Sequence, residues 1–275
     1  MPNLLYVDGL ALWSPTLPGW QSARAAFCGS TTTPQLPPQR PAAPMLSANE
    51  RRRAPDGVLL ALEVAAAAVA GSGHAAATLA SVFTSAHGDL AIADALCQTL
   101  AHNALALSPT RFHHSVHNAA SGYWAIAAGS HAASTALAAG EHSFAHGLLE
   151  AACQCAADTQ PVLLVGHDTE AVGPMRSVNH SHGLLAVALL LAPQRSTASR
   201  WALRWQWQAG GSATPLHSAA AQALAANAMA AALPLFEALA TGVPAHVALP
   251  VSATHGLRLQ LTPLPHHPDP EPAAP

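Results

Sequence analysis

The segment from Ser134 to Gly166 constrains the fold more than any other part of the chain. Ser134, Thr135, Ala136, Leu137 and Ala138 read as a short strand, and Gly140 marks a sharp turn after it. Phe144, Leu148, Ala151 and Cys155 then recur at helical spacing and make one apolar face. Pro161 and the unbroken apolar run Val162 to Val165, closed by Gly166, come next. A strand that is apolar at every position has no side to offer to water, so it belongs in a sheet covered on both faces. Strand, turn, helix and buried strand in that order predict an α/β fold.

The flanking sequence repeats these signals. Residues 1–15 look like a first strand, and residues 29–44, rich in proline and threonine, read as an extended surface connection after which the ordered body begins. Ser47 and Glu50 fit a capping box, and Val58, Leu62, Ala65 and Val69 predict a helix or broken helix pair over 47–70. Ser81 to Ser85 is a β-type run ending at Gly88, and Ile92, Leu96 and Leu100 give a helix over 89–105. Asn118 opens a small-residue helix that stops at Gly129. Leu184 to Leu191, Arg200 to Gln208 and Leu257 to Leu261 read as strands, with one long alanine-rich helix over 216–239, open to a break at Pro234. The expected organisation is a single domain over 1–262, a core over 47–192, and a disordered proline-rich tail over 263–275.

Composition excludes several classes. Half of the chain is apolar, 51%, and only 9% is charged, which rules out a disordered chain and leaves few solvating groups. Much of the surface is therefore expected to be covered by a partner. The formal charge of -3 with no basic stripe argues against nucleic acid and anionic membranes, and Arg51, Arg52 and Arg53 read as a solvated helix face. The N-terminus lacks the positive region of a secretory signal, and no apolar run reaches the roughly 18 to 20 residues of a membrane helix, so a cytoplasmic protein is expected. Cys28, Cys97, Cys153 and Cys155 show no CxxC pairing, so no disulfide framework, metal site or cofactor is indicated.

Residues 107–168 resemble the β-ketoacyl synthases, thiolase-fold enzymes that condense acyl chains on carrier proteins. In that family an SP-type turn precedes an asparagine, two glycines, a PS-type pair, a strand and the catalytic cysteine on a tight turn. Ser108, Pro109, Asn118, Gly122, Gly129 and Ser134 follow that order here, and the register places Glu141 at the nucleophile position. PVLLVGHD and HSHGLLAVALLL resemble the family's next strands, VFTSAHGDL its early strand and turn, and the similarity covers 47–192.

The resemblance implies a thiolase-like fold akin to the N-terminal half of a synthase, with an abbreviated second half. Glutamate cannot carry the thioester that a cysteine at a helix N-terminus carries, and the family's catalytic histidine motifs do not occur after residue 192. The chain is thus similar to the chain-length factors of type II polyketide systems and to the short synthase-like proteins of aryl polyene pigment systems. As such a member it would be noncatalytic, pairing as a heterodimer with a cysteine-containing synthase and meeting acyl carrier protein through the complex. Residues 134–138 would be its dimer strand. Two other readings stay open: a stand-alone acyltransferase or malonyl decarboxylase using Glu141, Ser143 or Ser121, and a carrier-protein docking module.

Three further groups carry plainer expectations. Glu141 is expected to cap the helix after it. His113, His114 and His117 could suggest a metal but lack a nearby cysteine or carboxylate, and His180 and His182 read as an exposed turn. Trp201, Trp205 and Trp207 alternate along a strand and make one packing or interface face.

Overall fold

The structure, a computed structural model, describes residues 3–30 and 39–265. The chain runs through β1 (Leu4–Trp13), α1 (Trp20–Phe27), α2 (Ala48–Arg53), α3 (Asp56–Val69), β2 (Ala80–Thr84), α4 (Leu90–Asn103), α5 (Pro109–Ser115) and α6 (Ala119–Ala128). It continues with β3 (Ser134–Leu137), α7 (Ser143–Asp158), β4 (Val162–Asp168), β5 (Leu185–Ala192), β6 (Trp201–Ala209), α8 (Ala219–Gln222), α9 (Leu233–Thr241), β7 (Ala245–Pro250) and β8 (His255–Pro263). The strands form one sheet in the order β3-β2-β4-β5-β1-β6-β8-β7. β3, β2 and β4 are parallel, and the other pairs are antiparallel.

Every residue of β4 and of β5 is buried, as an unbroken apolar run requires. Alternate residues serve opposite faces. Leu164, Leu189 and Val187 join the layer of α7, α1 and α9, while Leu163, Val165, Ala186 and Ala188 join that of α3 and α6. Alanine explains the tightness of the second layer: Ala61, Ala65 and Ala68 of α3 let its backbone close on β1. At the β1 bulge a Cβ on Gly9 would stand 1.8 Å from the Ala68 carbonyl oxygen. The absent side chain lets helix and sheet meet there.

α7 contacts β2, β4 and β5 on one side and β8 on another, so the sheet curls around it. His146 on α7 is bonded through Nε2 to the carbonyl of Val251 at 2.8 Å, beyond the end of β7. No described helix is long and apolar enough to cross a membrane.

Several expectations change. The ordered body does not wait for residue 44, because β1 is an interior strand and α1 packs on α9. Residues 31–38 of the proline-rich connection and 266–275 of the expected tail lie outside the described residues, and β8 continues through Pro263. The helix pair over 47–70 breaks at Ala54 and Pro55, with both halves of the Ser47 and Glu50 capping box formed. Residues 216–239 are not one helix. Asn227 Oδ1 accepts from the Met229 amide at 2.9 Å, while its Nδ2 donates to the His182 and Gly183 carbonyls, both at 3.1 Å. This side-chain turn competes with helix formation and outweighs the alanines around it. Pro234 stands in the first turn of α9, where its missing N–H costs nothing.

Gly9→Ala is expected to lower the unfolding free energy by about 3 kcal/mol, since its contact is backbone that cannot swing aside. An earlier urea midpoint with far-ultraviolet circular dichroism would show it.

Candidate functional site

In parallel sheets ligands and catalytic groups collect beyond the carboxyl ends of the strands. Here those ends belong to β3, β2 and β4, and each opens into a polar turn. After β3, Gly140 takes φ +57 in a single 3-10 turn over Gly140–His142 that leads into α7. The Ser143 hydroxyl staples this turn: it receives the Ala139 amide at 2.8 Å and donates to the Gly140 carbonyl at 2.7 Å. Thr84 Oγ1 donates to the Ser143 carbonyl at 2.9 Å, tying the turn to β2. Gly147, one turn further along α7, lets Thr84 come close, for a Cβ there would meet its methyl at 2.8 Å.

Glu141 sits at the apex of this turn with its side chain 87% exposed, and His142 Nε2 stands 3.6 Å from its carboxylate. Ser143 is spent on the turn and Ser121 Oγ donates to the Asn118 carbonyl at 3.0 Å, so neither stands in a nucleophile and base arrangement. Cys155 is buried in α7, and burial pushes its thiol up to about 12; partial burial also raises Cys153. Asn118 precedes α6 and accepts the Gly122 amide, Gly129 ends α6 in the left-handed region, and Ser134 Oγ accepts from Ser81 Oγ at 3.0 Å. A Cβ on Gly122 would meet nothing within 4 Å, so space alone does not require glycine there.

Asp168, at the end of β4, is the hub that sequence reasoning missed. Its buried carboxylate accepts Ser85 Oγ at 2.7 Å and the amides of Ala86 and His87, which joins the ends of β2 and β4. Burial pushes this carboxyl up to about 6, against the pull of those donors. His167 beside it is buried with Nδ1 unpartnered, and burial drives its imidazole down to about 4. The signal was present: an acid and a histidine closing an apolar strand is unusual, because such groups are seldom buried unless paired.

The candidate histidine cluster is divided among separate tasks. His114 bonds to Tyr123 OH at 2.9 Å, His117 reaches the Ser85 carbonyl at 3.1 Å, and His113, His180 and His182 are exposed. Among the described residues no group of three or more His, Cys, Asp or Glu is placed to hold a metal. A cleft of about 500 Å³ opens beside the hub, lined by Pro55, Asp89, Ile92, Thr169, Val172 and Leu184, with the Arg40 and Asp56 ion pair at its rim. Asp89 caps α4, and burial raises its carboxyl.

The two sheet edges are unlike. Among the described residues β3 pairs only with β2. Ala133 and Leu137 carbonyls accept from β2, so the alternate positions Ser134, Ala136 and Ala138 turn their backbone groups outward. At the other edge, the Thr214 amide donates to the Ala248 carbonyl and Thr214 Oγ1 accepts the Ala248 amide, which covers β7 between Pro244 and Pro250. α6 packs beside β3 and exposes Ile126, 77% exposed, while α5 packs on α6 and α4 on α5, exposing Phe112 and Leu100.

Fold and turn together present an exposed carboxylate, Glu141, at the apex beyond β3. The family described as "Beta-ketoacyl synthase, N-terminal domain" matches residues 20–249, and the chain belongs to it. Among solved structures, the ketosynthase ApeO in complex with its chain length factor ApeC from Xenorhabdus doucetiae is similar with a TM-score of 0.71 at 23% identity, over 93% of this chain and 98% of the matched one. The ishigamide ketosynthase/chain length factor matches with a TM-score of 0.72 at 14% identity, over 96% and 100%. A type II acyl-carrier protein complex with its hexaketide-bound ketosynthase, AntDE:AntF, gives 0.73 at 10%, also over 96% and 100%. At these identities the likeness establishes the fold. No curated protein matches the chain in sequence.

The opposed shifts of His167 and Asp168 give a pH signature. A histidine held neutral when folded loses stability as pH falls from 6.5 toward 4, whereas a carboxyl held protonated loses it as pH rises from 3.8 toward 6. The two slopes oppose each other in the parent. In His167→Gln one is gone, so the parent's stability relative to this variant should grow between pH 4 and 6.5, by up to about 3 kcal/mol. Urea unfolding of both proteins across that range measures it; a constant difference would mean that His167 does not titrate as described.

Proposed function

We propose that the chain is a chain-length-factor-like partner of a cysteine-containing β-ketoacyl synthase, assembling with it as a heterodimer in polyketide-like, fatty-acid-like or aryl polyene synthesis. The observation that carries this reading is the pairing of an open β3 edge with an adjoining turn whose apex is Glu141. A strand edge with unpaired backbone groups is a template for another strand, and folds that do not use such an edge blunt it with proline, charge or a covering segment. β7 is blunted in this way, while β3 carries only Ser, Thr, Ala and Leu. Ile126, exposed on the helix beside β3, fits a surface that a partner covers.

Glu141 supports the noncatalytic half of the reading. The family pattern puts it at the nucleophile position, and its exposed carboxylate has His142 Nε2 at 3.6 Å as its one ion-pair neighbour among the described residues. In this role the chain completes the shared sheet, stabilises the active synthase and closes the end of its acyl tunnel, so that side-chain bulk near the interface limits product length. Carrier protein reaches the chain through the complex. The solved complexes of ketosynthases with chain length factors support the same architecture of partners.

The test is co-expression with the cysteine-containing synthase of the same genome, followed by size-exclusion chromatography and condensation assays on each chain and on the pair. Co-elution with activity in the pair alone is the expected result. Turnover of a malonyl or acyl carrier protein by this chain unaided would overturn it. Glu141→Gln should leave the complex intact. Ala136→Pro should abolish it while the isolated chain keeps its helical circular dichroism and melting temperature, because that amide points away from β2 and proline is tolerated on a free edge.

A further inference from the structure

The three strands β6, β8 and β7 bury one face in the core, and among the described residues no helix packs on the other. Arg204 and Gln206 of β6, Arg258 and Gln260 of β8, and His246 of β7 project from that open face, where all but the half-buried margins are exposed. The register sets Arg204 opposite Gln260, Gln206 opposite Arg258, and His246 opposite Gln260. Arg204 and Arg258 are thus diagonal neighbours, about 7 to 8 Å apart at Cα. Together the five side chains enclose a recess of about 140 Å³.

Among the described residues neither Arg204 nor Arg258 forms an ion pair. None of the three strands contains an acid. Between Glu170 and Asp269 the sequence has a single acidic residue, Glu237, against Arg176, Arg195, Arg200, Arg204 and Arg258. Glu237 is buried and spends its two oxygens on the amides of His217 and Ser218. Arg204 donates Nη1 to Asn3 Oδ1 at 2.9 Å, which steadies its guanidinium and leaves its other donors. Two like charges on diagonal positions repel, and flanking carboxamides offer them acceptor oxygens but no countercharge.

We propose that this recess is a binding site for a phosphate group, held between the guanidinium forks of Arg204 and Arg258 with donors from Gln206, Gln260 and His246. A tetrahedral dianion cancels the repulsion and accepts from both forks at once, which a monovalent carboxylate does less completely. The group could arrive as free phosphate or as a phosphomonoester of a larger molecule. The inference does not depend on the partner role, because the face lies on the strands farthest in sheet order from β3.

Calorimetric titration of the chain, or of its complex if it is purified as one, at about 20 mM ionic strength, where surface charge is little screened, tests the site with three probes: inorganic phosphate, glycerol 3-phosphate and acetate. Saturable binding of both phosphates and weaker binding of acetate are expected. Arg258→Gln should weaken phosphate binding about tenfold, Arg258→Lys less, and the distant Arg53→Gln not at all. Equal affinity for the two phosphates assigns the recess to the bare group, and tighter binding of the ester adds contacts outside it. Absence of saturable phosphate binding, or equal losses in Arg258→Gln and Arg53→Gln, would overturn the site. Co-elution with a synthase is unaffected by either result, so the two proposals fail separately.

Discussion

Two-sided burial of β4 and β5 is the constraint on which the rest of the structure depends. Fifteen buried sheet positions, 7 in β4 and 8 in β5, demand a layer of helices above and another below. Leu164, Val187 and Leu189 face α7 and α9, while Ala186 and Ala188 lie among Leu163, Val165 and Leu190 on the face toward α3, which closes to backbone contact at Gly9. Because β4 runs parallel to β2 and β3, the same burial gathers three strand ends at one rim.

That rim is held by polar groups that the core leaves no room to hydrate. Asp168 binds the turn after β2, Ser143 closes the turn after β3, and Thr84 links the second to the strand between them. Buried networks of this kind hold because their donors and acceptors are matched, and a lone unpaired atom such as His167 Nδ1 is the exception. The turn bearing Glu141 is therefore rigid in backbone while its side chain is solvated.

Much of this was legible from the residues. The apolar run Val162 to Val165 required a covered strand, Ser47 with Glu50 named a helix start, and the order of Asn118, Gly122, Gly129 and Ser134 pointed to the family. Failures have physical causes. Asn227 defeats a helix through contacts to a loop forty-odd residues away, which local propensity cannot register. The short α5 gains its start from Ser108 and Pro109, read only as a family turn, and β7 lies between prolines that mask a strand. Asp168 was visible, but its role arises from amides eighty residues earlier. Whether an edge is open or covered is likewise set by distant sequence, as Thr214 shows for β7.

The open edge of β3 also makes the state of this chain a matter of concentration. A surface that binds strand adds free energy to the folded form in proportion to the logarithm of partner over dissociation constant. Chain made in excess of any partner keeps that edge available to copies of itself, and pairing among copies rises with the square of their number. Under the proposed pairing, balanced synthesis of the two chains keeps that edge occupied and holds self-association down.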